Sequence, residues 1–496
     1  MPEEAPKSEE SKEKKESKEK TPPADKLVQS SHSITIGGKE IKYTVTTGTI
    51  ILREETPDRE KDFEGEKPKA SFFFIAYTKD GVRDPAKRPL TFSFNGGPGS
   101  SSVWLHLGVL GPRRVVMTDI GDLPKPPYQL ADNEYSLLDT TDLVFIDPVS
   151  TGYSRPVEGE KARQFHGFKK DIESVGDFIR LYTSRYGRWL SPKFLIGESY
   201  GTTRASGLSD YLQDRHWLYL NGIMLVSVVL NFQSIRFTPG NELPYVLFLP
   251  SYAATAWYHG ALRVRRPLDK LLAEVRTFAV EEYAPALAKG HDLKPRERRA
   301  IAEKLSRYTG ISQDYIEHSD LRIPDYRFFK ELLRSRGRVV GRLDSRFTGI
   351  DRDTLGEGPD NDPSFTNIMG PYTAAFNDYI RRELKYESDL PYEILNGGVW
   401  PWSFAEHENE FVYVAEALRK AMTINPYLKV FVANGYYDLA TPFSATEYTF
   451  NHLGLDETLR GNVSMSYYEA GHMMYINMPS LEQMKKDLAA FIASAM

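Results

Sequence analysis

Apolar side chains change their spacing several times along the chain, and each change marks a different kind of element. From Ser33 they alternate with polar residues, at Ile34 and Ile36 and then at Ile41, Tyr43 and Val45, with Gly37-Gly38 between. Period two broken by two glycines predicts a β-hairpin, because successive strand side chains point to opposite faces and tight hairpin turns use positive φ. Apolar runs at residues 71–77, 90–94 and 143–146 predict further strands. The period then changes. Phe165, Phe168, Ile172, Val175, Ile179 and Tyr182 recur at three- and four-residue steps and mark one apolar face of a long helix. A strand at 194–196, a helix from Thr202 and a strand around 223–230 follow. Strands alternating with helices predict a mostly parallel central sheet.

Between residues 232 and 405 that rhythm is lost. Helical segments at 268–283, 295–308 and 324–336 are joined there by loops rich in proline and charge. Alternation resumes with a strand at 429–433, then 443–453, a strand at 463–468 and a last helix from Leu481. Residues 1–28 alternate Glu, Lys, Ser and Pro with almost no large apolar side chain, too little to offset the entropy of ordering them. The expected organisation is therefore a disordered charged tail over 1–28, a first part of the sheet domain over 29–231, a helical cap insertion over 232–405, and the rest of the sheet domain over 406–496. The tail reads as a solvated linker, or as a tether between a removed leader and the body of the protein.

Composition narrows the chemistry more than the fold. The chain has 496 residues, 41% of them hydrophobic and 26% charged, enough to bury a large core without disulfide or metal. A net charge of -5 points away from nucleic acid and anionic membranes as partners. The absence of cysteine removes thiol nucleophiles and thiolate metal sites. No apolar run approaches the roughly 18 residues of a membrane span. Met1-Pro2-Glu3-Glu4 lacks the apolar core of a signal peptide.

Gly197-Glu198-Ser199-Tyr200-Gly201 fits G-x-S-x-G between a predicted strand and a predicted helix. That turn lifts a serine hydroxyl clear of the sheet. A serine needs a base, and the chain order nucleophile, acid, histidine is the one found on such sheets. Asp438 follows the strand at 429–433 and His472 follows the strand at 463–468, where catalytic groups gather at strand ends. Asn95-Gly96-Gly97-Pro98-Gly99 follows the strand at 90–94 and offers backbone N–H groups for an oxyanion hole. It lacks the Gly-Lys-Ser/Thr of a phosphate-binding loop. No H-E-x-x-H or clustered ligand spacing suggests a metal, so no metal and no cofactor is expected. His106 and His166 read as packed or surface groups. The aromatic stretch 245–252 with Trp257 either lines an acyl-side pocket or packs a core. The fold class these features indicate is α/β: an α/β-hydrolase with a mostly parallel central sheet and a largely helical cap.

Four separated blocks carry a family resemblance: Asn95 to Ser102, Gly197-Glu198-Ser199-Tyr200, the Asp438 segment and Gly471-His472-Met473. A fifth, Asp147 to Ser154, is similar to D-x-P-x-G-x-G-[FY]-S. In these the chain resembles the serine carboxypeptidases, peptidase family S10, as a bacterial-type member. The resemblance implies a catalytic triad of Ser199, Asp438 and His472, and an oxyanion hole from the N–H groups of Gly97 and Tyr200. It also implies that Asn95 and Glu198 bind the substrate's terminal carboxylate. A protonated Glu198 could donate a hydrogen bond to that carboxylate, whereas an ionised one repels it, so activity is expected to favour acidic pH. The implied function is removal of C-terminal residues from peptides with a free C-terminus, by an exported enzyme, periplasmic or secreted. An esterase or acyltransferase on the same triad is the alternative. Three departures stand out. Ser100 replaces the usual cysteine, Val109 falls where a second glutamate is usual, and Gly201-Thr202-Thr203-Arg204 replaces Ala-Gly-x-Tyr. Arg204 reads as a helix-face cation, with a substitute carboxylate anchor as the other reading.

Overall fold

Nine strands form the spine of the structure. The computed structural model describes residues 22–55 and 65–496, so most of the expected tail lies outside the described residues. The strands are β1 (Lys26–Ile36), β2 (Lys39–Glu55), β3 (Glu66–Lys79), β4 (Leu90–Phe94), β5 (Asp142–Ile146), β6 (Lys193–Ser199), β7 (Gly222–Val228), β8 (Lys429–Gly435) and β9 (Val463–Tyr468). They hydrogen-bond in the order β1-β2-β3-β5-β4-β6-β7-β8-β9, with the short strand Arg155–Pro156 beside β3. The pairings β1–β2, β2–β3 and β3–β5 are antiparallel, and those from β5 to β9 are parallel. This is the α/β-hydrolase sheet.

The longer helices are α1 (Phe168–Arg185), α2 (Tyr200–His216), α3 (Leu243–Tyr258), α4 (Leu268–Phe278), α5 (Pro295–Thr309), α6 (Pro363–Arg382), α7 (Ala415–Ile424), α8 (Phe443–Asn451) and α9 (Met478–Ser494). Alternation along the strands feeds two cores. Phe194, Ile196, Met224, Val226, Phe431 and Ala433 face α6 and α9. Leu195, Ile223, Leu225, Val430 and Val432 face α1, α2 and α7. Both faces of a parallel strand are covered, which is why these segments read as continuous apolar runs.

Local differences from the sequence reading have local causes. Composition assigns Lys26 to Val28 to the tail, yet they pair with Thr49, Gly48 and Thr47 and begin β1. The strand expected to reach residue 230 stops at Val228, where Ser227 adopts φ 54° and the register with β6 shifts. Phe165 lies in a separate 3-10 turn, Ala162–Phe165, before α1. Within 232–405 the helices α3 to α5 bury a core of their own, including Phe248, Tyr252, Val275, Leu305 and Phe328. α6 is different: Ile368, Tyr372, Phe376 and Tyr379 join the core under the sheet.

Candidate active site

The parallel register brings the chosen side chains to one edge. Ser199 ends β6, Asp438 follows β8 and His472 follows β9, with β7 between β6 and β8. Ser199 has φ 59° and ψ -129°, a conformation that costs a non-glycine residue on the order of 1–3 kcal/mol. Neighbours hold it there. The Thr202 hydroxyl donates to the Ser199 carbonyl at 2.7 Å and accepts the Val229 N–H at 2.9 Å, tying the turn to the end of β7.

Asp438 is fully buried and saturated with donors. Its Oδ1 accepts the N–H groups of Ala440 at 2.8 Å and Thr441 at 3.0 Å. Its Oδ2 accepts the Thr441 hydroxyl at 2.8 Å and lies 2.8 Å from His472 Nδ1. An ionised carboxylate can only accept, so Nδ1 carries the proton and Nε2 is left as a base. Burial opposes the His472 cation, but the Asp438 charge and hydrogen bond outweigh it, with a smaller push from Glu198, and the pKa is raised.

A short segment, residues 343–346, clamps both loops. The Leu343 carbonyl accepts the His472 N–H at 2.6 Å, and Asp344 Oδ2 accepts the Gly471 N–H at 3.0 Å. Ser345 donates its N–H and its hydroxyl to the Tyr437 carbonyl, each at 3.0 Å. Arg346 pairs with Asp344 at 2.6 Å and donates to the Glu469 carbonyl at 3.1 Å. A Cβ at Gly471 would stand 2.4 Å from the Leu343 carbonyl oxygen, so the approach needs glycine. The Asp344–Arg346 pair is buried, and removing one partner of such a pair strands the other charge. Asp344→Ala is therefore expected to destabilise the fold by about 3–5 kcal/mol, read as a lower denaturant midpoint at unchanged m-value. A loss below about 1 kcal/mol would show that the clamp is not coupled to folding.

The glycine-rich loop after β4 is equally constrained. A Cβ on Gly96 would lie 2.4 Å from the Tyr200 N, and Gly97 has φ +100°. Ser102 donates its N–H and hydroxyl to Asp147 Oδ1, both at 2.8 Å, so the Asp147 block braces this loop. Ser100, where a cysteine is usual, accepts the Trp104 indole N–H at 2.8 Å. Arg204 is neither an exposed helix-face cation nor a substrate anchor. It is buried, pairs with Asp171 at 2.9 Å and donates to the Asn95 carbonyl at 2.6 Å. Both sides of α2 are packed at that turn, so the guanidinium is turned onto the loop.

Glu198 sits beneath the serine, buried. Its Oε2 accepts the Tyr475 hydroxyl at 2.5 Å. Burial raises its pKa to about 7 against the pull of His472, Tyr475 and Asn95. Asn95 Oδ1 accepts the Leu105 N–H at 3.1 Å. Its Nδ2 makes no bond of full hydrogen-bond geometry, yet lies close enough to favour the Glu198 anion. Val109 is buried in the apolar core, so no second carboxyl reaches Glu198 from that position.

Ser199, Tyr200 and Gly97 open onto a cleft of about 560 Å³, whose walls include Phe232, Phe404 and Trp400. Of the aromatic stretch, Phe248 reaches this cleft, whereas Tyr252 stacks on Phe328 within the cap core. A cavity of similar volume, about 580 Å³, lies between α3, α4 and α8 and contains none of the chosen residues. His106 is packed on Phe145 and bonded to the Tyr77 hydroxyl at 2.6 Å, and His166 is bonded to Ser150 at 2.9 Å. Sequence reasoning missed Tyr475, Thr441 and the Asp344–Arg346 pair. Proximity to His472 and Asp438 in the chain signals the first two; nothing in the sequence signals the third.

Parts of the chain are similar to known proteins. Residues 62–271 match the serine carboxypeptidase family. The pheromone-processing carboxypeptidase Kex1 of Saccharomyces cerevisiae is 32% identical over 160 residues, which are 31% of this chain and 20% of that protein. Serine carboxypeptidase-like 33 of Arabidopsis thaliana is 29% identical over 157 residues, 29% of this chain and 28% of that protein. Carboxypeptidase Y homolog A of Talaromyces stipitatus is 30% identical over 139 residues, covering 28% and 22%. The chain thus spans 20–28% of the length of these curated relatives. The crystal structure of a prohormone-processing carboxypeptidase, Kex1 of S. cerevisiae, superposes with a TM-score of 0.55 over 91% of both chains at 14% identity, a likeness of fold. Among the described residues, no helix is long and apolar enough to cross a membrane.

Proposed function

We propose that this chain is a serine-type carboxypeptidase of the family whose model its residues 62–271 match, acting on peptides with a free C-terminus. Ser199 Oγ attacks the carbonyl of the last peptide bond while His472 Nε2 takes its proton. The N–H groups of Gly97 and Tyr200 receive the negative charge that develops on the carbonyl oxygen. The C–N bond then breaks, His472 returns the proton to the departing amine, and the acyl group stays on Ser199. Water, deprotonated by His472, hydrolyses that ester. Asp438 fixes the histidine tautomer and stabilises its cation throughout.

One observation favours a carboxypeptidase over an esterase or acyltransferase on the same residues. A buried carboxyl, Glu198, is poised near neutrality directly before the nucleophile, with Asn95 beside it. Below a pKa of about 7 it is neutral and donates to a substrate carboxylate; above it the two anions repel. KM for a free-acid peptide is therefore expected to rise as pH passes from 6 to 8, and Glu198→Gln to flatten that rise, both measured by initial rates. The C-terminal amide of the same peptide should be a poor substrate at every pH. A pH-independent KM, or an amide cleaved as well as the acid, would favour the esterase reading. Coupling between Glu198 and His472 also matters at low pH. Once Glu198 is neutral it no longer supports the His472 cation, so the base stays available further into acid. The reading includes export to the periplasm or medium, supported by the charged composition of residues 1–28 and checked by cell fractionation.

A further inference from the structure

The cleft around Ser199 carries positive charge that the protein does not balance. Arg236 and Arg342 both line it, and among the described residues neither side chain forms an ion pair. Arg236 lies over the Phe232 ring at 5.7 Å, and its charged form is disfavoured by burial and then by Arg342. The two guanidinium groups therefore feel each other. The same wall carries one acid, Asp325, against these two arginines, and it forms no ion pair with either among the described residues. Its carboxylate accepts the Tyr326 N–H at 2.8 Å, and burial raises its pKa despite Arg342. Arg342 is also near enough to His472 to disfavour its charged form. Like charges placed together in a partly enclosed, aromatic-walled cleft are a standing cost that an anion relieves, and planar guanidinium forks match a carboxylate.

We propose that Arg236 and Arg342 select an acidic residue at the substrate's C-terminus, its side-chain carboxylate docking between them while its α-carboxylate goes to Asn95 and Glu198. This rests on the carboxypeptidase reading above and names the substrate class of that site. Arginine suits the task because its charge is permanent over the pH range in which Glu198 titrates.

The test uses the full chain and peptides that differ only in the last residue: Glu, Gln, Leu or Lys. The Glu peptide should exceed the Gln peptide in kcat/KM by about ten-fold or more, the scale of hydrogen bonds to charged groups. Lys should be worst, and added salt should shrink the Glu advantage. In the double variant Arg236→Gln, Arg342→Gln the Glu-to-Gln ratio should fall to about one. Arg342→Lys should keep part of it, as a point charge without the fork. Fluorophosphonate labelling of Ser199 in each variant reports that the site is folded. A Glu peptide no better than Gln, or a preference that survives in the double variant, overturns the proposal. So does a Leu peptide that loses as much as Glu, because the arginines would then hold the α-carboxylate. Release of Gln, Leu and Glu at equal rates removes this proposal and leaves the carboxypeptidase reading standing; release from no peptide removes both.

Discussion

Alanine at position 199 is expected to lower kcat/KM on peptides by roughly 10⁶-fold, the scale seen when an acyl-transfer serine is removed. The loss follows from geometry. Ser199 stands at the β6–α2 turn and lines the cleft with Tyr200 and Gly97, and no cysteine exists to take over. The fold should tolerate the change. The backbone at φ 59° is held by Thr202 and Val229, and alanine at 199 keeps both bonds. Two measurements check the result together: rates of C-terminal residue release, and covalent labelling by a fluorophosphonate. Labelling that persists in the variant would assign the nucleophile elsewhere.

Asparagine at position 438 is expected to lower kcat by roughly 10⁴-fold with little change in KM. The orientation of the new amide is dictated by what surrounds it. Oδ1 of Asp438 accepts two backbone N–H groups, from Ala440 and Thr441, so the amide oxygen must occupy that position. The amide nitrogen is then forced into the place of Oδ2, facing His472 Nδ1. It can only donate there. Nδ1 must become the acceptor, the ring proton moves to Nε2, and the base toward Ser199 is lost. Steady-state kinetics with a free-acid peptide test this directly. A variant keeping more than about a tenth of wild-type kcat would mean that the tautomer is set by something other than Asp438.

Much of this architecture is legible in the residues themselves. The run at 90–94 coincides with β4, because a parallel strand covered on both faces leaves a continuous apolar signature, and 463–468 coincides with the edge strand β9, where apolar residues alternate with serine. Ser199, Asp438 and His472 are legible as candidates because each stands at or just past the end of a predicted strand. Legibility fails where packing, and not periodicity, decides. Arg204 reads as a helix-face cation, because arginine in a helix is usually solvated. Its helix is enclosed at that level by Phe94, Tyr200 and Asp171, and the charge is absorbed by an internal ion pair. β2 and β3 run well past their apolar cores, since antiparallel pairing from Tyr43 to Glu55 orders charged residues as readily as apolar ones. The Leu343–Arg346 clamp is invisible in sequence. It joins one loop to two loops roughly a hundred residues further on, mostly through backbone groups that carry no residue-type signature.

That clamp has a consequence for how such proteins can change. Within residues 232–405 the helices α3 to α5 pack on a core of their own, whereas α6 joins the core under the sheet. Four residues of this stretch are not free, because they hold the acid loop with one hand and the base loop with the other. Any change made among residues 232–405 must therefore leave Leu343 to Arg346 in place, because the loops that carry Asp438 and His472 are held by a stretch of chain far from either in sequence.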